Sequence, residues 1–350
     1  MGVRAPIPRF HSMKIQLPKL LRALRLYIRN KSVNAWLQAA FYVCCKLTRK
    51  APPITAIFAV TYRCQCTCEH CYAMFEERQG VNEMSTEELK KTLDQIKKLG
   101  ALQVLFTGGE PLLRKDICDL VSHAHKIGLI TRMSTNGDLL TRDCVKELKR
   151  AGLNQCGVSI DDIDPTIHDR LRGIPGLYEK AIQGLRYLHE FGIDSKIMTY
   201  ATHENVTEGL ERILELGRKL QVVMVHITIA LAAGRWTDAS HEVLTEEEMA
   251  RIRMLQTKNF LQLEFPTPYT QCCITNNSVI YISAINEVTP CPAVPYAIGN
   301  LEQDSLAAIW KRHVSALRLE CRGSCPMNED KGREALSKHS ASVLRGNSEL

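Results

Sequence analysis

The stretch Cys64-Gln-Cys66-Thr-Cys68-Glu-His70-Cys71 follows a β-rich run, Thr55 to Thr61, and sets cysteines in a Cys-x3-Cys-x2-Cys pattern. One loop after one strand therefore offers three thiolates. A four-iron cluster takes four ligands, so three cysteines suit an iron-sulfur site that keeps one iron open for a substrate or cofactor. At a cysteine frequency of about 0.04, the three fixed positions would recur by chance only ~0.02 times in a chain of this length. Zinc is the competing occupant, and tetrahedral zinc would take a fourth ligand from His70 or Cys66.

Beyond this loop, β-rich runs alternate with amphipathic helical stretches. Strands are expected near Thr55 to Thr61, Val104 to Thr107, Leu129 to Ser134, Gln155 to Ser159, Lys196 to Ala201 and Val222 to Leu231. Helices are expected near Ser85 to Lys98, Lys115 to Lys126, Arg142 to Ala151, Leu177 to Phe191 and Asn205 to Arg218. Such alternation implies α/β architecture around a parallel sheet. On the sixth strand Met224, His226 and Thr228 alternate with Val225, Ile227 and Ile229, which puts His226 on the face opposite the aliphatic side chains.

The 350 residues are 45% apolar and 24% charged, a globular composition that argues against wholesale disorder. No apolar run is long enough to suggest a bilayer-spanning helix. Fourteen cysteines in a chain of this length, with no apolar signal segment, point to a reducing cytoplasmic compartment rather than a disulfide scaffold. Four of them fall within 64–71 and five within 272–325, which suggests two metal centres. Cys44, Cys45, Cys118, Cys144 and Cys156 read as free thiols.

Residues 1–53 hold eleven Lys/Arg and no Asp or Glu, leaving 34 bases against 38 acids in the rest. This extension reads as two helices that end at Pro52-Pro53. Three readings stand side by side: contact of residues 13–50 with an anionic membrane, packing with a solvated basic face, and an organelle-targeting peptide. No nucleic-acid recognition motif accompanies the basic residues, and no such partner is expected.

The cysteine spacing at the end of the first strand resembles that of the radical S-adenosylmethionine (radical SAM) superfamily, and later motifs extend the resemblance. Thr107-Gly108-Gly109-Glu110-Pro111 follows the second strand and resembles the family's GGEP motif, which implies that Glu110 accepts from the cofactor's ammonium. Ser134 and Asn136 end the third strand and resemble the ribose-contacting segment. Ser159 and Asp161 end the fourth and share one face. Arg172-Gly173 and Gly176 resemble a loop whose arginine reaches the methionine carboxylate, and Gly234-Arg235 resembles the loop that closes the barrel. The implied fold is a partial (β/α)6 TIM-type barrel over 54–240, with function at the carboxyl ends of the strands. Asp161 and His226 are the candidates for chemistry on the substrate.

After about Phe260 come a hairpin, Val279 to Ser283 and Glu287 to Pro290, a helix near Asp304 to Leu317, and Cys321-x3-Cys325. Residues 241–326 resemble the SPASM or twitch extension, which implies an auxiliary four-iron cluster on Cys273 (with Cys272 as substitute), Cys291, Cys321 and Cys325. Asn286 stands where that family has glycine, and asparagine tolerates the left-handed turn the hairpin needs. Zinc and free buried thiols compete with this reading. Residues 327–350 read as a polar tail.

The resemblance implies that a flavodoxin- or ferredoxin-type donor reduces the first cluster and that S-adenosylmethionine is cleaved to a 5′-deoxyadenosyl radical, which abstracts hydrogen from the substrate. An auxiliary cluster favours an oxidative outcome. Two basic helices in place of a leader-binding domain favour a tetrapyrrole, another cofactor precursor or a lipid-like molecule over a ribosomal peptide. A non-catalytic iron-sulfur scaffold or electron carrier is the alternative of a different class, and it would need neither Glu110 nor the ribose-contacting residues.

Overall fold

Leu89, Leu93 and Ile96 repeat at helical spacing behind Ser85, and all three are buried on one face of α1, Thr86–Leu99. The side chains of Ser85 and Glu88 each accept from the other's backbone N–H, and Gly100 ends the helix at φ 95°. The computed structural model describes residues 52–71, 80–229, 233–236, 244–255, 260–264, 272–274, 277–316 and 325–345. Cys44, Cys45, Cys321 and the basic extension through Ala51, including the segment 13–50 expected to meet a membrane, lie outside them.

Around α1 lie β1 (Thr55–Ala59), β2 (Gln103–Thr107), α2 (Ile117–Lys126), β3 (Ile130–Thr135), α3 (Arg142–Ala151) and β4 (Gln155–Ser159). Next come α4 (Pro165–Arg172), α5 (Leu177–Glu190), β5 (Asp194–Ala201), α6 (Gly209–Lys219), β6 (Met224–Ile229), α7 (Glu246–Met254) and β7 (Leu261–Glu264). These are followed by β8 (Val279–Ile282), β9 (Glu287–Thr289), β10 (Gly299–Asn300), α8 (Leu306–Ala316) and α9 (Asp330–Arg345). One sheet carries every strand among the described residues, in the order β10-β9-β8-β1-β2-β3-β4-β5-β6-β7. It has two ends, so the barrel is partial. Phe58, Phe106, Met133, Val158, Ile197 and Val225 point to the helices and form the main core. Ile57, Ala59, Leu105, Val279 and Tyr281 cluster separately on the opposite face.

Several elements depart from the expectations raised by the sequence, which placed no helix at α7 and no strand at β10. β7 pairs with β6 and adds a seventh parallel strand; at four residues it is too short for periodicity to distinguish. The helix α4 was not expected, although Asp164 caps it by accepting from Thr166 and Ile167 and Pro165 opens it. The hairpin expected in a separate small domain instead extends the barrel sheet, because β8 lies parallel to β1 from Thr55↔Val279 to Phe58↔Ile282. It satisfies the backbone groups that β1 would otherwise present as an edge. Finally, 330–345 of the supposed polar tail is helical. Its covered face is Leu336, His339, Ser340 and Val343, half of it polar, so hydropathy concealed it.

Asn286 lies in the β8–β9 turn at φ 66°, the conformation expected of its residue type. Asn286→Val is expected to cost about 1–2 kcal/mol in urea unfolding, whereas Asn286→Gly is expected to stay near neutral.

Candidate functional site

After β1 the backbone turns through Thr61–Arg63 into the cysteine loop, and the end of β2 presses directly upon that turn. A Cβ on Gly108 would stand 2.2 Å from the Thr61 carbonyl oxygen, and one on Gly109 2.2 Å from that of Arg63. Gly109 and Glu110 donate their N–H groups to these carbonyls at 2.9 and 2.8 Å. The two glycines therefore weld the loops together, a close approach that any side chain would prevent.

Glu110 is fully buried and accepts from Leu112 N at 3.0 Å, Thr135 Oγ1 at 2.8 Å and Asn136 N at 2.8 Å. Three of about four acceptor positions on the carboxylate are thus used to join the ends of β2 and β3, leaving one for an ammonium. Burial pushes the carboxyl up from 4.5 to about 7 against the pull of these donors. A folded value above the ordinary one gives stability that is complete below pH 4.5 and lost as pH rises through 7. The loss amounts to about 3 kcal/mol at 1.36 kcal/mol per unit. His70 and His168, held near 4 chiefly by burial, act oppositely, losing stability as pH falls below 6.5. Comparison with Glu110→Gln separates the effects: the stability advantage of the wild type, measured by urea unfolding, is expected to shrink as pH rises from about 4.5 to about 8.

Cys64, Cys66, Cys68 and Cys71 pack with Ile174 and Leu177 in one cluster. The Cys66 thiol hydrogen-bonds with those of Cys64 and Cys68, and Asn136 Nδ2 donates to Cys66 Sγ at 3.2 Å. These contacts push Cys66 up and Cys64 down. Cys68 falls to about 6, through Cys66 first and then the Arg172 charge.

Two further grips hold the loop. The carbonyls of Leu171 and Arg172, which have no partner within α4, accept from Glu69 N and Thr67 N at 3.1 Å each. On the other side, Arg235 Nη1 donates to the carbonyls of Thr67 and Cys68 at 2.6 and 2.7 Å, and its backbone N–H to that of Cys71 at 3.0 Å. Arg235 thus anchors the loop itself, a role its sequence position did not reveal.

Asp161 and Arg172 are both buried and bound to one another, Nε to Oδ2 at 2.6 Å and Nη2 to Oδ1 at 3.0 Å. Arg172 Nη1 donates to Cys68 Sγ at 3.7 Å, and His70 Nε2 lies 3.5 Å from Asp161. Burial pushes the Asp161 carboxyl up, but Arg172 and then His70 bring it down to about 2. These contacts hold Asp161, one of the two candidates for chemistry on the substrate, as a carboxylate near neutral pH. Arg172, the residue expected to reach a methionine carboxylate, meets Asp161 and Cys68 in the structure. His70, considered from the sequence only as a possible zinc ligand, also packs on Tyr200 at 4.4 Å between ring centroids.

Val225 packs toward Gly217 of α6, so His226 beside it faces the barrel interior, where it is buried. Met198 gathers the other interior candidates. It is in register with Ser159 on one side and His226 on the other, and Ser134 Oγ lies 3.3 Å from its sulfur.

Cys272, Cys273, Cys291 and Cys325 share a second cluster with Ala233, Ile274, Met327 and Leu336. The Cys273 thiol hydrogen-bonds with those of Cys272 and Cys291, which pushes it up, and burial pushes Cys325 up to about 12. Cys272 and Cys273 thus both pack near Cys291 and Cys325; Cys321 lies outside the described residues. Among the described residues no three Cys, His, Asp or Glu side chains form a preset coordination shell. The fit of each site to an iron-sulfur cluster rests on its donor set, four grouped thiols in each case.

Residues 58–217 match the family model described as the Radical SAM superfamily. The chain is 28% identical over 301 residues to an AdoMet-dependent heme synthase of Nitratidesulfovibrio vulgaris, covering 76% of this chain and 82% of that protein. It is 34% identical over 212 residues to an Fe-coproporphyrin III synthase of Methanosarcina barkeri, covering 58% and 53%. It is also 27% identical over 279 residues to a PqqA peptide cyclase of Granulibacter bethesdensis, covering 74% of each. In fold it resembles Streptococcus suis SuiB bound to S-adenosylmethionine, with a TM-score of 0.64, 17% identity and coverage of 91% and 86%. No helix among the described residues is long and apolar enough to cross a membrane.

Proposed function

The chain belongs to the radical SAM superfamily and is an enzyme, and from that premise we propose that its substrate is a tetrapyrrole intermediate, oxidised at a C–H bond of one of its ring substituents. The family implies a four-iron cluster with S-adenosylmethionine, and Cys64, Cys68 and Cys71 would hold it. When bound, the pair supplies one-electron hydrogen abstraction. The protein's own part is to fix the loop through Gly109, Leu171 and Arg235 and to present a substrate on the interior face near His226 and Met198. Cys272, Cys273, Cys291 and Cys325 would hold a second cluster able to accept an electron from the oxidised substrate.

The observation that carries the substrate class is the similarity to proteins named for heme and Fe-coproporphyrin III synthesis. The interior face supports it: Ile57, Leu105, Val279 and Tyr281 form an apolar wall facing the same interior as Ser134, Ser159 and His226. The peptide reading keeps a specific support in the PqqA peptide cyclase relative. Free and iron-loaded porphyrins bearing carboxylate side chains, and a precursor peptide, would be incubated with the reduced enzyme and the cofactor. Porphyrin-dependent 5′-deoxyadenosine with a matching oxidised porphyrin in the mass spectrum is expected. A change in mass of the peptide alone would sink the tetrapyrrole reading.

A further inference from the structure

We propose that Cys66 is a displaceable fourth ligand of the cluster held by Cys64, Cys68 and Cys71, closing the open iron until S-adenosylmethionine arrives. The inference rests on the radical SAM reading of the loop. A four-iron cluster is saturated by four thiolates, and this loop brings four into one group, with Cys66 meeting both Cys64 and Cys68. As core filling alone, Cys66 would need no polar partner. Instead its sulfur accepts from Asn136 Nδ2 at 3.2 Å, and Asn136 is the residue expected to serve the cofactor's ribose. One donor therefore faces both the thiol and the cofactor.

The backbone suits a ligand that leaves. Arg63, Thr67, Cys68, Glu69 and Cys71 are held by the grips described above. Among the described residues no backbone–backbone hydrogen bond fixes Gln65 or Cys66; the Cys66 N–H meets only the Cys64 sulfur, and Gln65 is held through its side chain on Asp138. On exchange the Cys66 sulfur leaves the iron with its electron pair and takes up a proton. The cofactor's amino and carboxylate groups take the position, and no electron is transferred.

The test uses full-length protein, reconstituted anaerobically without S-adenosylmethionine, as wild type, Cys66→Ala and Cys66→Ser. After iron and sulfide are counted, each is treated with limiting ferricyanide, and loss of one iron is read as the three-iron electron paramagnetic resonance signal. Several-fold more three-iron signal is expected in both variants than in wild type, with severalfold tighter S-adenosylmethionine binding by equilibrium dialysis. The auxiliary site is the same in all three proteins and cancels from the comparison. Equal signals and equal affinities would overturn the proposal. So would loss of first-site iron from both variants, since a displaceable ligand is dispensable for retention. Cofactor cleavage by Cys66→Ala, followed separately, would leave the radical SAM reading standing whichever way the ligand result falls.

Discussion

Protein carrying Cys64→Ala, Cys68→Ala and Cys71→Ala together, reconstituted anaerobically, is expected to hold about four irons against about eight in the wild type. It should form no 5′-deoxyadenosine under any reductant. The triple variant is needed because a fourth thiol, Cys66, touches two of the three positions and would mask a single substitution. Retained iron would belong to the thiols of Cys272, Cys273, Cys291 and Cys325, which share no packing cluster with the first loop. Wild-type protein with about four irons, all lost in the variant, would remove the auxiliary cluster and with it the electron acceptor of the proposed oxidation. A full iron load in wild type without cofactor cleavage would favour an electron carrier instead.

Much of this architecture is legible because it is local. Strands announce themselves by alternation and helices by caps such as Ser85/Glu88, and each motif sits just after its strand. The glycines of Gly108-Gly109 were legible as residues that permit close approach, but not what approaches them. That is the backbone of Thr61 and Arg63, some 46 residues earlier in the chain. Arg235 was hidden for the same reason, since its partners are carbonyls of Thr67 and Cys68, and a carbonyl leaves no mark in a sequence. The buried stripe of α9 was obscured differently. His339 Nε2 meets His313 Nδ1 of α8 at 2.8 Å, so two polar side chains pair inside the protein through one ring nitrogen each and read, one at a time, as surface.

The pairing of Asp161 with Arg172 carries the second large effect. Asp161→Asn would leave a buried guanidinium without its carboxylate, at an expected cost of about 3–5 kcal/mol in urea unfolding. Apolar replacement of both partners, Asp161→Leu with Arg172→Met, should recover much of that loss, because the pair's attraction is largely offset by the desolvation of two charges. Recovery of stability need not restore function. Arg172 Nη1 also donates to Cys68 Sγ, and an N–H···S bond favours the more negative, reduced state of a cluster held by that sulfur. The double variant is therefore expected to fold and load iron, yet show a first-cluster potential lower by tens of millivolts in redox titration. An unchanged potential would confine Arg172 to stability. A lowered potential together with unaltered S-adenosylmethionine affinity would place its effect on the cysteine, and a lost affinity would place it on the cofactor's carboxylate.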